Sequence, residues 1–138
     1  HWEGGSRVPW FVRWPARVEA GVVSDAVVDL VDVTASMARL VDGAIPAGQA
    51  MDSGDVLDAL LGESPTGRDE LVGIQSGKNL FLRSRDWKWI PARGDQPGML
   101  FDLAQDPAET TDVSAEHPEL AFAMDARLGA VLAGAPAR

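Results

Sequence analysis

The spacing of apolar positions changes character along this chain. From Val27 they recur as Val27, Leu30, Val31, Met37, Ala38 and Val41, a spacing that predicts an amphipathic helix with one buried stripe, Ser24 as its N-cap and Gly43 as its C-terminal stop. Pro46, Gly48 and Gly54 mark the following stretch as loop, and Val56-Leu57-Asp58-Ala59-Leu60-Leu61 predicts a short helix ending at Gly62. After a seam at 63–67 the pattern becomes that of short strands at 71–75, 80–83, 87–90 and 99–103, with turn residues Ser76-Gly77 and 94–98 between them, which is the signature of an antiparallel meander. Pro118 then opens a last helix, with Leu120, Met124, Leu128 and Val131 at helical spacing and a frayed tail at 134–138. In the expected arrangement Leu120, Met124 and Leu128 cover one face of the small sheet.

One segment does not fit so small a unit. Residues 8–14, Val-Pro-Trp-Phe-Val-Arg-Trp, are β-branched and aromatic and predict a strand, with Pro9 at its start or on an edge. A strand this apolar normally lies inside a sheet covered on both faces, and the chain offers few neighbours for it. A larger domain is therefore expected before His1. The same expectation arises from the position of His1 directly against the dense run Trp2-Glu3-Gly4-Gly5-Ser6-Arg7-Val8-Pro9.

Composition narrows the partners. The 138 residues carry a formal charge of −9, which disfavours nucleic acid, since binding a polyanion requires a basic surface that releases counterions. With no cysteine, disulfides, thiolate metal sites and a cysteine nucleophile are absent from the chain. Its longest apolar-rich stretch, 22–41, is interrupted by Asp25, Asp29 and Asp32, well short of the roughly 20 apolar residues that span a bilayer.

Among candidates for chemistry, the turn Glu3-Gly4-Gly5-Ser6-Arg7 is the most pointed. Two glycines allow a tight turn that presents N–H groups to an anion, with Arg7 adding charge, although the same residues suit an ordinary turn into a strand. His1 is a candidate proton donor or ligand, without partners in the sequence. Asp25, Asp29 and Asp32, like Asp52, Asp55 and Asp58, read as solvated polar faces, and neither set has the spacing of a calcium-binding loop. Lys78, Arg83, Arg85, Lys88 and Arg93 interleave with Phe81, Trp87 and Trp89, which strand alternation explains as rings turned inward and charges turned outward. The sequence holds no nucleophile elbow, P-loop, His-Glu-x-x-His or dinucleotide fingerprint. Pattern alone therefore stops at an α/β polypeptide.

Four pieces in order resemble the second half of an arylsulfatase. They are Trp2-Glu3-Gly4-Gly5-Ser6-Arg7-Val8-Pro9 running through Phe11-Val12-Arg13-Trp14-Pro15; Val23-Ser24-Asp25 with the helix after it; the stretch 57–62; and Arg83-Ser84-Arg85-Asp86-Trp87-Lys88-Trp89-Ile90 leading to Leu100-Phe101-Asp102-Leu103-Ala104-Gln105-Asp106-Pro107-Ala108-Glu109-Thr110-Thr111-Asp112. The family counterparts read E-G-G-x-R-V-P, V-R-W-P, R-x-G-D-W-K-L-I and L-Y-D-L-x-x-D-P-x-E-x-x-N-L. The likeness spans nearly the whole chain, and it is the order and spacing of the pieces that make it specific. Departures are mild: Val33-Thr34-Ala35-Ser36-Met37 stands for the commoner Leu-Leu-Pro-Thr-Leu, Ser6 for an apolar residue, and Asp112-Val113 for Asn-Leu.

The resemblance implies an α/β fold in which 1–62 closes an alkaline-phosphatase-like large domain and 63–138 forms a C-terminal subdomain, a small antiparallel sheet with a C-terminal helix. It implies a sulfuric ester hydrolase acting on an aryl sulfate or a sulfated carbohydrate. In that family a formylglycine within a C/S-x-P-x-R motif and a calcium ion do the chemistry. Both belong to the upstream part of the catalytic domain, so the fragment alone is expected to be inactive. The family's sulfate-binding lysine precedes the Glu-Gly-Gly turn, and His1 does not align with it. What remains here is a rim turn, Glu3, Gly4, Gly5 and Arg7, with His1 as an active-site neighbour. Export to the periplasm or outside the cell is expected from the relatives alone. Two other readings share the sequence: a phosphatase or phosphonate hydrolase of the same superfamily, and a noncatalytic binding or packing module.

Overall fold

A computed structural model describes residues 2–75 and 79–134. The turn residues Ser76 and Gly77, together with Lys78, His1 and the end of the tail, lie outside the described residues. Two compact units emerge, one made of the residues up to Pro9 together with those from Glu70 onward, the other of Trp10–Asp69.

In the first unit the strands β1 (Glu70–Gln75), β2 (Asn79–Ser84), β3 (Trp87–Ile90) and β4 (Met99–Asp102) pair in chain order. All three pairings are antiparallel. This is the expected meander, and helix α4 (Pro118–Leu132) follows it with proline in its first turn. Alternation along the strands sends side chains to two different environments. Leu82, Trp89 and Leu100 pack with Ala121, Met124 and Leu128, with Leu120 and Val113 against them. Trp89 keeps its indole N–H satisfied by donating to Asp125 at 2.9 Å, as a buried indole requires.

On the opposite face Phe81, Ile90 and Phe101 form a second buried group with Met99 and Leu103. This face is covered in part by the N-terminal residues, where α1 (Glu3–Ser6) is a single turn. The Trp2 ring meets Phe101 edge-on with centroids 5.7 Å apart. One glycine is required here: Gly73 sits opposite Phe81 in the β1–β2 pairing, and a Cβ on it would lie 2.1 Å from the Phe81 ring.

Within Trp10–Asp69, a 3-10 turn at Leu30–Asp32 leads into α2 (Val33–Leu40), and α3 (Leu57–Leu60) lies farther along. The helix starts later than the apolar spacing predicts. Asp29, not Ser24, caps the 3-10 turn that leads into it, because Asp29 accepts from the Val31 N–H while Asp32 accepts from the Asp29 N–H, a reciprocal capping box. Ser24 instead accepts from the Ala26 N–H. At the other end Gly43 N–H bonds to Ala38 C=O at 2.8 Å and Asp42 N–H to Arg39 C=O at 3.1 Å. This is a Schellman closure in which Asp42, with φ 51, takes the left-handed position.

The polarity of this helix is also turned round. Ser36 and Asp32 are fully buried, whereas Leu30, Val31, Met37 and Val41 are 71%, 46%, 40% and 74% exposed. The strand expected at 8–14 is absent as well: the segment has no regular structure, and Phe11 is 91% exposed. A strand exists only through a partner ladder, and among the described residues none lies beside it.

Candidate functional site

The turn singled out by its Gly-Gly pair is held by charges that converge from three places in the sequence. Its own backbone is closed locally, with Gly5 N–H donating to Trp2 C=O at 3.0 Å and Arg7 N–H to Glu3 C=O at 2.7 Å. Gly4 and Gly5 face solvent, and a side chain built on Gly4 would meet nothing within 4 Å. Arg7 is exposed. Glu3 behaves differently, being only 7% exposed.

Strand β3 explains why. Its alternation places Trp87 and Trp89 toward α4 and sends Lys88 the other way, where it is completely buried. Lys88 Nζ lies 3.1 Å from Glu3 Oε1 and 2.8 Å from Glu109 Oε1, and 4.4 Å from the centre of the Phe81 ring. The contact with Glu109 is an ion pair set off the hydrogen-bonding direction, since Glu109 Oε1 has no hydrogen-bond partner. Glu109 also accepts from the Glu3 backbone N–H through its other oxygen. Arg83, on β2, adds a contact of 3.3 Å to Glu3 Oε2. Two carboxylates and two cations thus balance, which is the condition for keeping ions out of water.

Glu109 reaches this cluster because the loop before it is tightly tied. Asp106 accepts from the N–H groups of Thr110 and Thr111 at 2.7 and 2.8 Å and from the Thr110 hydroxyl at 3.1 Å. Those bonds, the one from Thr111 foremost, hold its carboxyl below the ordinary aspartate range. Glu109 itself takes a left-handed conformation, φ 56. Asp112 pins the loop's far end by accepting from Leu100 N–H at 3.0 Å and Ser114 N–H at 2.9 Å. Partial burial would raise the pKa of Asp112, but these bonds outweigh it and the net direction is down.

A second buried ion pair organises Trp10–Asp69. Asp32, read from the sequence as part of a solvated face, has a side chain only 1% exposed. Arg68 Nε donates to both of its oxygens at 2.9 and 2.8 Å, while Gly54 N–H and Asp29 N–H donate at 2.8 and 3.0 Å. Burial pushes its pKa up, but the Arg68 guanidinium and the two backbone donors outweigh that and hold it below the ordinary aspartate value. The other aspartates keep more solvent, and Asp55 and Asp58 clasp the exposed Arg39.

Of the candidate residues, the structure brings Glu3, Gly4, Gly5 and Arg7 into one turn, and His1 lies outside the described residues. Asp25, Asp29 and Asp32 do not converge on a common point, and among the described residues no three His, Cys, Asp or Glu side chains are grouped to hold a metal ion. No helix among them is long and apolar enough to cross a membrane. Lys88, Glu109, Asp32 and Arg68 are the residues that pattern reading missed. A signal existed for two of them: Lys88 and Glu109 occupy the lysine of D-W-K-L-I and the glutamate of D-P-x-E in the motifs that carry the family resemblance.

Comparison with curated proteins finds relatives named as sulfatases. No protein-family model matches the chain. It is 33% identical to an N-acetylgalactosamine-6-O-sulfatase of Bacteroides thetaiotaomicron, over 86% of this chain and 26% of that protein. It is 27% identical to human arylsulfatase D over 95% of this chain and 28% of the relative, and 37% identical to human arylsulfatase G over 55% and 14%. Among solved structures, a Bacteroides thetaiotaomicron protein of multiple-glycosaminoglycan metabolism superposes with a TM-score of 0.79 at 30% identity, over 86% of this chain and 28% of that one. The protein Ps i-CgsB, solved in complex with k-i-k-neocarrahexaose, superposes with a TM-score of 0.69 at 25% identity, over 84% and 26%. The chain spans between 14% and 28% of the length of these curated relatives.

In sequence and fold the chain is similar to a part of proteins named as sulfatases.

Proposed function

We propose that this chain is the C-terminal part of a calcium-dependent sulfatase that hydrolyses a sulfated carbohydrate or an aryl sulfate. The observation that carries the reading is the 33% identity to a sulfatase across 86% of the chain. It is supported by the meeting of Glu3, Lys88 and Glu109, one from each of three resemblance motifs, in a single buried cluster.

Residues 1–62 would close the catalytic domain and 63–138 form the C-terminal subdomain. Formylglycine and calcium are assigned to the upstream part of that domain; the chemistry they supply is attack on sulfur and neutralisation of the sulfate oxygens. This chain's own residues act at the rim. Gly4 and Gly5 leave the exposed side of the turn without side chains, Arg7 offers a cation to an anionic substrate, and Glu3 anchors the turn from beneath.

The test is to express the complete coding sequence and compare nitrophenyl sulfate with nitrophenyl phosphate and a phosphonate ester, before and after chelation and with calcium restored. Turnover of the sulfate, lost on chelation and restored by calcium, is expected. Preference for the phosphate or phosphonate would replace the reading with another hydrolase of the same superfamily.

A further inference from the structure

We infer that Lys88 is a positioning residue: from inside the sheet's second face it fixes the Glu3–Arg7 turn, with Glu109 completing the clamp. The inference rests on the proposed rim role only for its functional meaning, since the clamp is a property of the chain.

Glu3 would gain nothing from burial on its own. A carboxylate taken out of water is costly unless a cation and donors replace the water. Here Lys88 replaces it at 3.1 Å and Arg83 at 3.3 Å, and the Glu3 N–H is tied to Glu109. Side chain and backbone of one residue are therefore both held, from strands and a loop 80 to 106 residues away in sequence. Two anchors on one residue fix orientation as well as place. The remainder of the turn hangs from that residue, because Arg7 N–H bonds to Glu3 C=O at 2.7 Å. Lys88 itself has no solvent path and touches Phe81, Glu3 and Glu109. A strand lysine with no exposed atom serves the cluster and not solubility.

The experiment is amide hydrogen exchange on the isotope-labelled 138-residue chain, with Lys88→Met and Glu109→Met as variants. Loss of the clamp should open the turn locally. In Lys88→Met, exchange at Glu3, Gly5 and Arg7 rises by about tenfold or more while that at Leu100 and Met124 changes by less than about threefold. Glu109→Met removes the acceptor of the Glu3 N–H and should accelerate that amide first. Turn amides that do not change, or that accelerate only by the factor seen in the sheet, would overturn the inference. Should Lys88→Met fail to fold, Glu109→Met decides by the same comparison. In the complete protein the same Lys88→Met change is expected to raise KM for a sulfate ester more than it lowers kcat. A freed turn with unchanged KM would leave the clamp standing and remove the rim role.

Discussion

Replacing Arg68 by methionine isolates the buried ion pair of Trp10–Asp69. The substitution keeps much of the side-chain length but leaves the Asp32 carboxylate, 1% exposed, with two backbone donors, Gly54 and Asp29, in place of its full set. Removing one partner of a buried pair costs about 3–5 kcal/mol, because a charge stays behind unpaired. Arg68 retains 21% of its side-chain exposure, and water admitted there reduces the loss to about 2–4 kcal/mol. Arg68→Lys should recover part of it, since an ammonium restores the charge but not the fork that reaches both oxygens. The assay is urea denaturation followed by circular dichroism, together with exchange of the Gly54 and Val56 amides, whose acceptors are Asp32 and Ser36. Arg39→Met is the control, because its partners Asp55 and Asp58 are, like it, substantially exposed. A loss in Arg68→Met no larger than in Arg39→Met would refute the reasoning and return Asp32 to the role of an ordinary helix cap.

Three further outcomes are expected. Acid should destabilise the chain: the pKa values of Asp32 and Asp112 are lowered on folding, so the unfolded chain takes up protons first. Their contribution is present above the ordinary aspartate range and is lost as pH falls through the folded values. A pH series of denaturation midpoints that is flat in that range would contradict this. Gly73→Ala should destabilise the sheet by about 1–3 kcal/mol, because the new methyl meets the Phe81 ring at 2.1 Å; an unchanged melting temperature would show that the ring moves freely. Leu128→Ala, at a position 2% exposed between α4 and the sheet, should cost about 2–5 kcal/mol by calorimetry, and a cost near that of an exposed site such as Phe122→Ala would argue against the docked helix.

The meander and α4 were legible because their rules are local. Strand alternation, turn residues and a proline at the helix start each act within a few residues, and Leu82, Leu100, Met124 and Leu128 then meet on the side their periodicity predicts. Residues 8–14 failed for the opposite reason: a strand needs a neighbour, and sequence composition reports only what the segment is suited to join. The same holds for α2, whose apolar stripe predicted a buried face while the fold buries Asp32 and Ser36 instead. At the candidate site the glycines marked the turn, but nothing local marked its anchor. Alternation assigns Lys88 to solvent, and the carboxylates that overturn this come from Glu3, 85 positions away, and from Glu109 beyond the next strand. Buried charges are set by tertiary partners, so pattern reading places them on the surface by default.

The central claim is that this chain completes a sulfatase without supplying its chemistry. Release of inorganic sulfate from an aryl sulfate, measured by ion chromatography for the complete protein and for the 138-residue chain side by side, tests it most directly. Sulfate release by the complete protein alone is the predicted result. No release by either, with a complete coding sequence that lacks the C/S-x-P-x-R motif, would contradict it.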